Sequence, residues 1–184
     1  LPVDAGLAEE LLRELPDLLE RNPAAHDSEH SLEVEAPLIH EIFPGIPVVP
    51  IMVPPEAAPV EIGKRAAKIL RGRSVVAVAS TDLTHYGSRF HLAPAGLGEK
   101  AHSWMKSNDR RILDLAVNLE AERIPREAMV HCNACGSGAL AAATAFAREL
   151  GVVGASVLEH TDSHEVAGQG EPFETAVGYA GMVF

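Results

Sequence analysis

The sequence has 184 residues, which at ~150 residues per domain corresponds to one domain, or one with a small appendage. Hydrophobic residues make up 47% and charged residues 22%, the balance of a folded chain, and two cysteines are too few for a secreted disulfide framework. Asp and Glu number 26 against 15 Lys and Arg, and aromatic residues are only 4%. The resulting charge of −11 repels phosphate backbones and anionic lipid heads, so nucleic acids and membrane surfaces are not expected partners.

Asp4 is an N-cap for a helix over 5–21, whose Leu7, Leu11, Leu15, Leu18 and Leu19 recur at helical spacing. Asn22-Pro23 signals a turn, and Asp27-Ser28 offers a pair of caps to a helix over 29–43, with Leu32, Leu38, Ile39, Ile42 and Phe43 as its apolar set. Pro37 either kinks that helix or opens a second one. The apolar run 47–53 reads as a buried strand, and 59–72 as a helix. Residues 74–80, Ser-Val-Val-Ala-Val-Ala-Ser, are apolar on both faces and predict a central strand of a covered sheet.

A long helix over 99–122 turns Ala101, Trp104, Met105, Ile112, Leu115 and Leu119 inward. A strand end follows at 128–131, then an Ala-rich helix over 138–150 stopped by Gly151, and strands over 156–160 and 175–184. Segments 54–59 and 167–172 read as surface loops. The alternation predicts an α/β fold with a mixed, mostly parallel central sheet flanked by helices. No apolar run approaches the ~20 residues that span a bilayer. The chain opens on Leu1 with no charged and apolar leader pattern, so it is expected to be cytoplasmic, and either to have lost its start or to be a fragment.

Nine histidines make a metal site worth seeking. Asp82 and His85 lie just past the predicted central strand, where open α/β sheets bind ligands; a turn cap and an exposed ring is the equal alternative. His30 opens a predicted helix between Glu29 and Glu33, which either orient its imidazole or simply favour the helix start. Cys135, in Cys132-Asn-Ala-Cys135-Gly-Ser-Gly138, precedes a helix whose N-terminal donors favour a thiolate; the alternative is a small buried hydrophobe at a tight turn. Cys132 and Cys135 also match dithiol redox spacing and half of a structural zinc site, and Gly-Ser-Gly is a weak phosphate cradle. His26, His40, His91, His102 and His131 carry no positional argument, while His160 and His164 follow a strand and either line a pocket or, as the preferred reading, belong to a solvated loop.

Together these segments resemble one family. Asp27-Ser-Glu-His-Ser-Leu-Glu-Val-Glu-Ala-Pro-Leu38 is similar to the Glu-His-Ser-x-Glu-x-x-x-Pro signature of the Memo-like family, called AmmeMemoRadiSam system protein B in prokaryotes. Ser80-Thr-Asp-Leu-Thr-His-Tyr-Gly87 resembles its Ser-Ser-Asp-x-x-His-(Tyr/Trp)-Gly motif, Cys135-Gly136 its Cys-Gly pair, and Val177-Gly-Tyr-Ala180 its terminal strand. The resemblance implies a fold like that of class III extradiol dioxygenases and a pocket for one transition-metal ion, iron or copper, with zinc as a further option. His30 and Cys135 match metal-ligand positions; Asp82 and His85 match pocket residues beside the metal, with His85 placed as a catalytic acid/base.

The family's N-terminal His-x-Gly-Tyr motif and the Pro after its cysteine have no counterpart here. Residues 1–184 are therefore expected to form a single Memo-like domain lacking its N-terminal part, with an incomplete metal site finished by further polypeptide or a second chain. Three functions follow: a metal-dependent, dioxygenase-like oxidoreductase, a peptide- or protein-binding module partnering radical S-adenosylmethionine and Amme-type proteins, or a thiol redox protein.

Overall fold

Asp4 does cap the first helix: its Oδ1 accepts the Leu7 N–H at 2.9 Å. In the computed structural model, which describes residues 1–27, 29–168 and 172–184, helix α1 spans Ala5–Glu14 and buries Leu11. It ends earlier than the leucine spacing suggests, because Leu15 leaves helical geometry ahead of Pro16. A single turn, α2 (Pro23–His26), is capped by Asn22. Helix α3 (Ser31–Ile42) carries Pro37 inside it. Its start is held by Glu29, whose carboxylate accepts the Ser31 and Leu32 N–H groups at 2.9 and 3.1 Å. Burial works against the charge on Glu29, but those two donors outweigh it and its pKa lies below the usual range. Ser28 of the expected cap pair, and residues 169–171 of the expected loop, lie outside the described residues.

Helices α4 (Pro59–Leu70) and α7 (Ser137–Glu149) pack against each other, and α5 (Glu99–Val117) crosses beside α6 (Ile124–His131). Leu83, Ile112, Leu113, Leu115, Ile124 and Leu140 form the main core. Tyr86, Ala101, Met105, Phe173 and Ala176 form a second one, with Trp104 packed against it. Of the expected inward set of α5, Ala101, Met105, Ile112 and Leu115 are buried and Trp104 is half-buried, while Leu119 is buried from a left-handed turn beyond the helix end. Segment 128–131, expected as a strand end, is the last turn of α6.

The sheet departs most from expectation. Among the described residues it has three strands in the order β1-β3-β2, built from β1 (His85–Tyr86), β2 (Ser156–Asp162) and β3 (Ala176–Val183). Both pairings are antiparallel, His85 against Val177 and Asp162 against Gly178, so the mostly parallel sheet is not what forms. The apolar run 74–80 adopts no strand, and among the described residues Val76–Ser80 make no backbone–backbone hydrogen bond. A strand needs a ladder partner and this one has none, which leaves Val76 83% and Val78 61% exposed. The run 47–53 is likewise limited to a parallel bridge between Val3 and Val48.

A charged clasp ties β2 to the helices. Helix α8 (Ser163–Ala167) forms where a loop was expected, and Asp162 caps it by accepting the His164 and Glu165 N–H groups. The second oxygen of Asp162 takes Lys106 Nζ at 2.9 Å and His102 Nε2 at 2.7 Å, and Lys106 also reaches Glu165 at 2.7 Å. The Phe173 ring stacks on His102 with centroids 4.7 Å apart. Burial pushes the Asp162 carboxyl up, yet hydrogen bonds from Lys106, His102 and the Glu165 N–H hold it at about 2. A carboxyl depressed below an unfolded value of ~4 stabilises the fold above that pH, and the contribution disappears as pH falls from ~4 to ~2. We expect Asp162→Asn to lose ~2 kcal/mol at neutral pH, and its difference from the parent chain to vanish near pH ~2 in urea unfolding.

Candidate functional site

Two loops meet edge to edge at the end of the sheet. The first carries Asp82 and leads into β1, whose first residue is His85; the second, between α6 and α7, carries Cys132 and Cys135. The Cys135 N–H donates to the Asp82 carbonyl at 3.2 Å, and the Gly136 N–H donates to Thr81 Oγ1 at 2.8 Å. Thr81 Oγ1 itself donates to the Asp82 carbonyl at 2.8 Å. Gly136 is required by this approach, because a Cβ there would lie 2.6 Å from the Ser80 carbonyl oxygen.

This seam gathers a carboxylate, an imidazole and a thiol. One ligand atom from each of Asp82, His85 and Cys135 lies within 4.8 Å of the others. His85 Nε2 is 3.2 Å from Asp82 Oδ2, and a carboxylate acceptor there selects the Nε2–H tautomer and leaves Nδ1 as the basic nitrogen. Thr81 Oγ1 stands 3.9 Å from the Cys135 sulfur. Asp82 and His85 are half-buried, whereas both cysteines are exposed and free. Tyr179 of β3, opposite Thr161 of β2, feels this charge: burial first, then the Asp82 and Asp162 carboxylates, raises its phenol above the usual value and keeps it protonated.

A cavity of about 330 Å³ opens in front of the cluster, walled by His85, Phe90, His91, Leu92, Cys132 and Cys135. The Phe90 ring lies 5.0 Å from that of His85, and the Arg89 guanidinium covers the Phe90 ring at 4.5 Å. On the other side of Cys135 a groove of about 520 Å³ runs between Pro55, Glu56, Pro125, Arg126 and Met129. Cys135 stands at the boundary between the two.

His30 is exposed at the N-cap of α3 and belongs to neither group of converging metal-type donors among the described residues. Its neighbour Glu29 is spent on the helix start. Thr81, Phe90 and His91 were not singled out by sequence reasoning, although Thr81 directly precedes the Asp82-x-x-His85 motif and Phe90 and His91 follow it within six residues. The second group, His102, Asp162 and Glu165, already holds the Lys106 ammonium among its carboxylates. His160, expected in a solvated loop, sits in β2 with Nε2 3.0 Å from the Asp109 carboxylate.

A model of the family described as "Memo-like protein" matches residues 1–183. The chain belongs to the Memo-like family. It is 34% identical to a MEMO1 family protein of Thermococcus kodakarensis over 100% of this chain and 65% of that protein. A MEMO1 family protein of Pyrococcus furiosus is 31% identical, with the same two coverages. One of Caldivirga maquilingensis is 29% identical over 99% of this chain and 60% of its own length. The chain therefore spans less than two-thirds of the length of these relatives. In this Memo-like chain no helix among the described residues is long and apolar enough to cross a membrane.

The seam between the loops is testable through Thr81. Thr81→Val leaves the Gly136 N–H without its acceptor and should cost ~1–3 kcal/mol, while Thr81→Ser keeps the hydroxyl and should cost less than half of that. Denaturant midpoints of the two variants measure the difference.

Proposed function

We propose that this Memo-like chain carries the larger part of a transition-metal pocket in which Cys135 binds the ion and the Asp82–His85 pair handles a proton beside it. The observation that supports this is the convergence of thiol, imidazole and carboxylate within 4.8 Å at the mouth of a cavity. The donor set suits the ion: thiolate and imidazole favour copper, zinc or iron over magnesium or calcium. When bound, the metal would supply Lewis-acid or redox chemistry to a ligand in the cavity. His85 gives or takes the proton at Nδ1, Asp82 holds the ring in that orientation through Nε2, and Phe90 and Leu92 keep the wall apolar.

The family resemblance adds His30 as a second ligand, a third from polypeptide outside this chain, and a dioxygenase-like architecture and activity. Thiolate in place of the usual carboxylate of non-haem oxygenases makes catechol ring cleavage a poor inheritance.

Cobalt(II) titration of the purified chain is the test. A thiolate-to-cobalt absorption band should saturate at about one ion per chain, disappear in Cys135→Ala, and require higher cobalt in His30→Ala. Cobalt occupancy unchanged by Cys135→Ala would sink the reading.

A second reading is favoured by uncovered apolar surface. Val76 and Val78 stand bare, and Val34, Leu38 and Ile42 form an exposed stripe at helical spacing on α3. Such faces suit the remaining polypeptide of a Memo-like fold, in the same chain or a companion. Radical S-adenosylmethionine and Amme-type partner proteins are the occupants that the family name suggests. A thiol redox role has the support that Cys132 and Cys135 are free and share one cavity wall; free-thiol counts that stay constant under mild oxidation would remove it.

A further inference from the structure

Two polar residues stand on the buried face of α5, among Met105, Ile112 and Leu113. Asn108 is 4% exposed and Asp109 fully buried. Neither is a good helix-interior residue, and burying their polar atoms is costly unless each is bonded. Both are bonded, and to the loops that carry the candidate site.

The Asn108 side-chain amide donates to Thr84 Oγ1 at 3.1 Å and to the His131 carbonyl at 2.9 Å. One amide thus joins the residue before His85 to the residue before Cys132. Asp109 Oδ1 accepts the Thr84 N–H at 2.9 Å, and its Oδ2 accepts from His160 at 3.0 Å. On the second loop, Asn133 is fully buried and donates its side-chain amide to the Asn108 carbonyl at 2.9 Å. Gly178 of β3 completes the arrangement, since a Cβ there would collide with the Asp109 carboxylate.

We propose that Asn108 and Asp109 are positioning residues of the site. They form a buried bracket that sets the Asp82–His85 loop and the Cys132–Cys135 loop at a fixed separation. Packing alone would be served by apolar side chains at both positions, whereas the polar pair also fixes the height and register of the Thr84 and His131 backbone against α5. The deletion of either arm therefore loosens the junction where thiol and imidazole meet, while the helices keep their cores.

The test pairs amide hydrogen exchange with cobalt absorption on the whole chain. Asp109→Leu removes both acceptors, Asn108→Ala removes the bridging amide, and Asp109→Asn retains an acceptor for the Thr84 N–H. In the first two, exchange at Thr84 and Cys135 should quicken at least ~10-fold relative to Ala145 in α7, with cobalt affinity down at least ~10-fold. Asp109→Asn should stay within ~3-fold of the parent. Unchanged exchange at Thr84 and Cys135, or equal acceleration along the whole chain, overturns the proposal. The cobalt arm rests on the metal reading above; if the parent chain gives no thiolate band, that reading falls and the exchange measurement still decides this one. If Asp109→Leu does not fold, Asn108→Ala decides alone.

Discussion

The peptide seam between Asp82 and Cys135 is the constraint on which the rest of the site depends. Neither loop has a regular element beneath its reactive residue: Asp82 precedes β1, and Cys135 precedes the cap of α7. Side chains on such loops converge only when their backbones are fixed to each other. Here a main-chain hydrogen bond, a threonine hydroxyl and a glycine without a Cβ do that fixing. The sulfur, the imidazole and the carboxylate are then close because their peptides are.

The two groups of metal-type donors show how differently similar residues are used. Around Asp162 the carboxylates, one imidazole and an ammonium satisfy one another, and an aromatic ring lies over the imidazole. Such a network is complete, and its job is to hold α5, α8 and β2 together. Around Asp82 the one side-chain partnership among the described residues is its bond to His85, and the thiol is exposed at the cavity edge. The closed cluster spends its charge on the fold, whereas the open one keeps donor atoms available.

Much of this was legible in the sequence. Helical spacing found α1, α4, α5 and α7 because amphipathic periodicity survives wherever a helix covers a core. Asp82, His85 and Cys135 were picked out by their place between elements, and they are the three that meet. The sheet was misread for a physical reason: Ser74–Ser80 has the composition of a covered strand, but composition reports what a segment can bury, not whether a neighbour is there to pair with it. The short β1 hid inside a motif read as a loop, since two residues carry no alternation to detect. The Asn108–Asp109 bracket was invisible because buried polar residues on a helix look like a solvated face until their partners are known.

The bare run Val75–Ala79 has a consequence for how the molecule behaves in company. Three valines and two alanines carry no charge and no proline, and among the described residues Val76–Ala79 make no backbone–backbone hydrogen bond. Arg71 and Arg73 on one side and Asp82 on the other act as charged gatekeepers at its two ends. Between those charges the segment presents unpaired backbone groups, and an uncovered stretch of this composition is the kind of edge that invites strand addition unless something lies over it.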